Sequence, residues 1–383
     1  MSIVVLIPAR GGSKGIKLKN IVPIAGKPLI YYATKACEDS VYVNKVIIAT
    51  DLKKIENVVN GFGFYKVEIY KRLKRNAQDN SKTIDLVLEF VKFLDPNDIL
   101  ILVQATSPLV TYTDIDNAIK RYLESSCDSM LSCIKADGFY WTDLGEPILH
   151  EQNNRKRRQD YDSKVLKENG AIYINKVQNI ISEKSLLSGE IEPFIMNKDT
   201  SLEIDEPNDI ILAEKLLRKR VIDKVSKADY KMFLCDCDGT LTDGGMYYSK
   251  NGEEMKKFNT KDGFGITTLQ KNGYIVGIIT GENNDIVRKR AKKLKISELH
   301  MGVKNKLSVV KEIAKKYKIN LEQIVYVGDD MNDYDVIKNV GLGCATYNAC
   351  DKLKNIAKYT TKLAGGMGAV REVIDLLCAD IED

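Results

Sequence analysis

Short runs of β-branched and aliphatic residues alternate with helical periodicities along the whole chain. Ile3–Pro8, Lys45–Thr50, Lys66–Tyr70, Asp98–Gln104, Ser129–Ile134 and Ala171–Asn175 have the length and composition of strands. Between Asn80 and Leu94 the apolar positions Ile84, Val87, Leu88, Val91 and Leu94 recur at helical spacing, which predicts a helix. Strands alternating with helices predict parallel sheets covered on both faces. The pattern then restarts. A charged helix from Pro207 to Ser226 opens with Pro207 after Asp205 and Glu206 and gathers basic residues in its later turns, as the helix dipole favours. Beyond it, strands are predicted at Met232–Cys237, Ile275–Thr280, Ile324–Gly328 and Leu342–Thr346. The expected fold is α/β, with two doubly wound domains over residues 1–226 and 227–383, joined near Lys227 by a short, stiff hinge. No internal repeat interrupts this order.

Composition narrows the chemistry. The 383 residues suit two domains, and 44% apolar with 29% charged residues excludes disordered and low-complexity chains. Lys and Arg number 58 against 53 Asp and Glu, and the net +5 is too small and too interspersed for a nucleic-acid partner. No apolar run reaches the roughly 18 residues that a membrane span needs. The opening run Ile3–Ala9 is short and gives way to Gly11 and Gly12, so no signal peptide is expected. Eight cysteines without a C-x-x-C pair read as free thiols of a cytoplasmic protein. With only two histidines, a Cys/His zinc site is not expected either. Carboxylates, cations and backbone groups remain.

The first strand runs into Pro8-Ala9-Arg10-Gly11-Gly12-Ser13-Lys14-Gly15, with Lys19 and Asn20 close behind. This is neither a Walker loop nor a dinucleotide fingerprint. Glycines directly after a strand let backbone N–H groups approach an anion, and Arg10, Lys14 and Lys19 add positive charge. The predicted ligand is a polyphosphate at the carboxyl end of the sheet; the plainer reading is a tight turn with a solvated basic rim. Gln104 follows another strand, and a basic loop holding Arg158 and Gln159 leads to Asn169-Gly170-Ala171-Ile172-Tyr173. Glu203 and Asp205 share one side of the chain if it is extended, a natural pair for Mg²⁺ beside a polyphosphate.

Together these segments resemble the acylneuraminate cytidylyltransferases, from about Ile3 to Ala213. The resemblance implies a Rossmann-like nucleotidyltransferase domain that joins CTP to a nonulosonic acid of the sialic type. It implies Arg10, Lys14 and Asn20, with Lys19 beside them, as CTP contacts, Arg10 and Lys14 also serving catalysis. Asp79 falls in the segment expected to touch the nucleotide. Gln104, Arg158 and Gln159 are implied sugar-acid contacts, Asn169 belongs to the family's N-G-A-I-Y segment, and Asp205 matches its metal-binding aspartate. Two positions depart from the family pattern: Glu203 stands where an aspartate is usual, and Val110 where an arginine is common.

The second half carries its own constellation. The strand from Met232 ends in Asp236-Cys237-Asp238-Gly239-Thr240-Leu241-Thr242-Asp243, two carboxylates that would repel each other without a cation. Thr280 ends another strand, Lys306 opens a helix, and Gly328-Asp329-Asp330-Met331-Asn332-Asp333 follows a third strand. In this order they resemble the four motifs of haloacid dehalogenase-type phosphatases. The residue types suit Asp236 as nucleophile, Asp238 as acid and base, and Thr280 with Lys306 as phosphoryl binders. Mg²⁺ is expected on Asp236, the Asp238 carbonyl and Asp329, while Asp330 and Asp333 are read as supports. The spacings leave no room for a cap domain, only for a hairpin over Met246–Lys257 turning at Asn251-Gly252. Capless members resemble the 3-deoxy-octulosonate 8-phosphate phosphatases, which implies a homotetramer. The glycines from Gly365 to Gly368 are expected to free the tail to reach a neighbour's site, where Arg371 would meet the substrate carboxylate.

The reading is a bifunctional enzyme that hydrolyses a sugar-acid phosphate and activates the acid with CTP, without nucleic-acid or membrane partners. The alternative keeps the transferase and makes the second domain only an oligomerisation module. A nucleotide-binding module without turnover would need clustered basic and stacking residues, and the chain has a single Trp.

Overall fold

The computed structural model describes residues 1–13, 15–136, 138–148, 157, 165–250 and 252–378. The chain divides into two compact units, Met1–Ile24 with Pro28–Leu216, and Ala25–Lys27 with Leu217–Asp383.

The first unit is built on a seven-stranded sheet. Its strands are β1 (Ile3–Pro8), β2 (Lys45–Thr50), β3 (Val67–Lys71), β4 (Ile99–Val103), β5 (Ser129–Lys135), β6 (Leu166–Lys176) and β7 (Ile191–Ile195), in the order β7-β5-β6-β4-β1-β2-β3. All pairs are parallel except those of β6, which runs antiparallel to both β4 and β5. The central strands are apolar at every position because both faces are covered. Val5 and Ile7 of β1 enter one core, and Val4 and Leu6 enter the other. The helix predicted after Asn80 is α3 (Thr83–Phe90), which continues as a tighter turn over Val91–Phe93. The edge strand β7 escapes the sequence reading because Pro193 and Glu192 dilute its apolar pattern.

The second unit holds six parallel strands: β8 (Met232–Cys235), β11 (Ile275–Ile279), β12 (Glu298–His300), β13 (Ile324–Gly328), β14 (Leu342–Ala345) and β15 (Tyr359–Thr360). Their order is β12-β11-β8-β13-β14-β15, so β8 lies centrally and its carboxyl end is a ligand position. Phe233 and Cys235 face one core and Met232 and Leu234 the other. The predicted hairpin is β9 (Tyr247–Ser249) with β10 (Gly252–Met255); its turn residue Asn251 lies outside the described residues. The helices that matter for the sites are α6 (Pro207–Val225), α7 (Thr260–Lys271), α9 (Lys306–Tyr317) and α12 (Ala369–Leu377). Among the described residues, no helix is long and apolar enough to cross a membrane.

Candidate active sites

In the first unit, the loop after β1 and the segments after β3 and β4 border a cavity of about 300 Å³. Its lining includes Arg10, Lys19, Asn20, Asp79, Gln104 and Glu203, so six of the predicted residues meet there. The Arg10 guanidinium donates to the Gln78 carbonyl at 2.8 Å and pairs with Asp79 at 3.3 Å. The buried Asn20 amide donates to the Arg10 carbonyl at 3.0 Å and so fixes the turn that carries the guanidinium. The Gly11 N–H is held at 2.9 Å by Asp51.

The two carboxylates of the 203–205 segment take different positions. Glu203 lines the cavity and accepts a long bond from Thr106 at 3.5 Å. Asp205 lies at the rim, 3.3 Å from Lys19, whose ammonium also donates to the Ile204 carbonyl at 2.8 Å. Burial, reinforced by the charge of Asp205, raises the Glu203 carboxyl above its ordinary value. Two carboxylates this near in the chain, one of them lining the cavity, suit a cation.

Asn169 is held in the core. Its side-chain oxygen accepts from the Ser132 hydroxyl at 2.6 Å and its amide donates to the Met196 sulfur at 3.2 Å, both buried. It sits where the register of β6 against β5 shifts, between Glu168 and Tyr173, and it ties that irregularity to the core. Lys14, Arg158 and Gln159 lie outside the described residues. The sequence reading missed Arg72, a largely buried cavity residue whose Nε has no hydrogen-bond partner. Burial lowers its guanidinium pKa, although Asp51 and Glu89 oppose the shift. A basic residue at the exit of a β-branched strand was the available signal.

In the second unit, Asp236 leaves β8 with its N–H bonded to the Val327 carbonyl at 2.9 Å, and only 4% of the residue is exposed. Lys306 occupies the first turn of α9, whose start is capped by the Asn305 side chain, and it is 1% exposed. Its ammonium lies 2.9 Å from Asp236 Oδ1 and 2.7 Å from Asp333 Oδ1. Asp333 also accepts from the Tyr326 hydroxyl at 2.6 Å and from the Asp329 N–H at 3.0 Å. A buried carboxylate with this many donors is a hub that orients Lys306 and the turn bearing Asp329.

Asp236, Asp329 and Asp333 offer carboxylate oxygens within 4.8 Å of one another. This donor set fits a hard divalent cation. Asp333 enters the cluster although it was read only as a support. Because both of its oxygens already accept bonds, Asp236 and Asp329 are the better ligands. Burial first, and Asp333 second, push Asp236 and Asp329 each up to about 7, and Lys306 partly opposes this. The Lys306 ammonium loses hydration by burial, yet Asp236 and Asp333 raise its pKa overall. The Thr280 hydroxyl accepts from the Glu282 N–H at 3.2 Å, which leaves its own proton as a donor. Asp238 turns to Lys256, at 2.5 Å.

Two glycines explain how closely this loop is built. Gly239 has φ +82°, and a Cβ there would lie 2.0 Å from Asp329 Oδ2. At Gly365 a Cβ would lie 1.7 Å from the Gly239 carbonyl, and the Gly366 N–H donates to the Thr240 carbonyl at 3.0 Å. The glycine run therefore packs closely on the loop of Gly239 and Thr240. Arg371 follows on α12, with Nε 2.5 Å from Asp375, its guanidinium 5.4 Å from the Phe264 ring centre and its N–H on Asp262. Its cation is paired on its own helix, with about a third of the side chain exposed.

Residues 4–231 match the family model described as cytidylyltransferase, and residues 284–374 match that of haloacid dehalogenase-like hydrolase. N-acylneuraminate cytidylyltransferase A of Danio rerio is 33% identical over 381 residues, covering 96% of this chain and 86% of that protein. The 3-deoxy-D-manno-octulosonate 8-phosphate phosphatase of Escherichia coli K12 is 42% identical over 156 residues, covering 40% of this chain and 83% of the phosphatase. A solved phosphatase of the same name from Moraxella catarrhalis, in complex with magnesium, phosphate and a KDO molecule, shares 36% identity. It covers 42% of this chain and 91% of its own, with a TM-score of 0.41. The chain belongs to the cytidylyltransferase family, and its second unit to the haloacid dehalogenase-like hydrolases.

Proposed function

We propose that the first unit transfers CMP from CTP to a nonulosonic acid of the sialic type and releases pyrophosphate. The observation that supports this best is the meeting of Arg10, Lys19, Asn20, Gln104 and Glu203 around one cavity. In this reading the sugar hydroxyl oxygen bonds to the α-phosphorus and gives up its proton to solvent, the bond to pyrophosphate breaks, and the leaving group takes the electron pair. Arg10, Lys19 and Arg72 hold its negative charge, as does Lys14 on the same loop. Glu203 and Asp205 would hold Mg²⁺, which would screen the phosphate charge.

The second unit hydrolyses the phosphate of a sugar acid. A bound Mg²⁺ on Asp236, Asp329 and the Asp238 carbonyl would screen the phosphoryl charge. An Asp236 oxygen attacks phosphorus, the bond to the sugar oxygen breaks, and that oxygen takes a proton from Asp238. Asp238 then accepts a proton from the water that cleaves the aspartyl-phosphate, and phosphate leaves. Lys306 and Thr280 hold the phosphoryl oxygens. Retention of this buried cluster favours a working phosphatase over an inert module. Coupled assays test both halves: CTP-dependent pyrophosphate release across sialic, deaminated, legionaminic and octulosonic acids, and phosphate release from their phosphates, with and without Mg²⁺. Failure of every acid to release pyrophosphate would defeat the transferase reading.

A further inference from the structure

The acid–base residue of the second unit does not stand free. Lys256 directly follows β10, its side chain is fully buried, and its ammonium lies 2.5 Å from Asp238 Oδ1. The other oxygen, Asp238 Oδ2, is buried and has no hydrogen-bond partner. Burying a lysine side chain costs several kcal/mol unless its charge is met, and a carboxylate oxygen without a donor is costly as well. An arrangement that leaves one oxygen clamped and the other unsatisfied is what a proton-transfer group needs before its substrate arrives.

We propose that Lys256 is a positioning residue: it clamps Asp238 through Oδ1, so that Oδ2 is the oxygen presented to the leaving group, and it links that orientation to the β9–β10 hairpin. This rests on the phosphatase reading. Rotation about the last side-chain torsion of an aspartate is soft, and the two oxygens exchange freely unless one is held. Lys256 stops that rotation. The P–O bond to the sugar then breaks with its electron pair on the sugar oxygen, and the proton that completes the alcohol comes from Oδ2. Because Lys256 is the residue after Met255, a hairpin displaced by a poorly fitting substrate pulls the clamp with it. The hairpin carries the exposed Tyr247, Tyr248 and Met255, side chains available to sense the substrate body.

Leaving-group chemistry separates this role from a structural one. An alkoxide leaves only if it is protonated, whereas 4-nitrophenolate leaves without help. The wild type, Lys256→Met and Lys256→Arg are compared on 4-nitrophenyl phosphate and on a sugar phosphate. The latter is 3-deoxy-octulosonate 8-phosphate or a nonulosonate 9-phosphate, whichever the wild type hydrolyses faster. General acid catalysis contributes about 10²–10⁴-fold, so Lys256→Met is expected to lower kcat on the sugar phosphate by about 100-fold and on the aryl phosphate by only about 3-fold. Lys256→Arg, which keeps the charge and a donor, is expected to recover a large part of the sugar-phosphate rate. Equal losses on both substrates, the signature of a merely structural role, would overturn the proposal, as would no loss on either. If Lys256→Met does not fold, Lys256→Gln, which also removes the charge, is read by the same ratio. A wild type that hydrolyses neither substrate overturns the phosphatase reading and this inference with it.

Discussion

At the scale of single residues, the second site balances buried carboxylates against buried lysines, Lys306 among them. Lys306 meets both Asp236 and Asp333, yet burial still pushes Asp236 and Asp329 up to about 7, against about 4 for an aspartate in an unfolded chain. The folded, metal-free protein therefore binds more protons than the unfolded one between those values, and its stability falls as pH rises from about 4 through about 7. Replacing one carboxylate should relieve this. In EDTA at pH 8, Asp329→Asn is expected to unfold at a higher temperature than the wild type, by about 2–4 °C for each kcal/mol regained. The gap should shrink toward pH 5, and saturating Mg²⁺ at pH 8 should reverse the order. A variant that melts below the wild type at every pH without metal would contradict the charge balance described. In the first site, Arg72→Lys keeps a charge but loses the planar fork, and KM for CTP is expected to rise about tenfold, the cost of one charge-assisted hydrogen bond.

At the scale of elements, strand ends place the chemistry. β8 delivers Asp236, β11 delivers Thr280, β13 delivers Asp329, and α9 begins at Lys306. These positions are legible in the sequence because a buried parallel strand is a continuous apolar run whose end is marked by the first polar residue. The roles of Asp333 and Lys256 are not legible, since each depends on a partner distant in sequence, Lys306 and Asp238, and that of Arg72 is not, because segments far apart in the chain line its cavity. Glycine is ambiguous in the same way. The run at Gly365 suggests freedom when read alone, and only the fold reveals the close approach to Gly239. Gly365→Ala is expected to destabilise the second unit by about 1–3 kcal/mol through overpacking. It should also reduce phosphate release sharply while pyrophosphate release persists. Asn169 likewise reads as a ligand contact from its motif, while its tie between β5 and β6 depends on Ser132, distant in sequence. Asn169→Ala is expected to cost about 1–3 kcal/mol by leaving the buried Ser132 hydroxyl proton without an acceptor. Thermal unfolding of each variant checks both values.

At the scale of the whole molecule, two units with separate acidic sites share one chain, and their chemistries are complementary if one releases the acid that the other activates. Among its described residues the second unit has no cap domain, and side chains such as Tyr248 and Phe264 are 69% and 66% exposed on its surface. Apolar exposure of this kind fits a homotetramer in which neighbours shelter the site. Light scattering of the full chain is expected to give a tetramer, and residues 1–226 alone at most a dimer that still uses CTP. The central claim is that two independent reactions belong to two independent sites. It is tested most directly by measuring pyrophosphate and phosphate release side by side in the wild type, Asp205→Asn and Asp236→Asn. Asp205→Asn should lose pyrophosphate release and keep phosphate release, and Asp236→Asn should do the reverse; either substitution abolishing both activities in a folded protein would contradict the account.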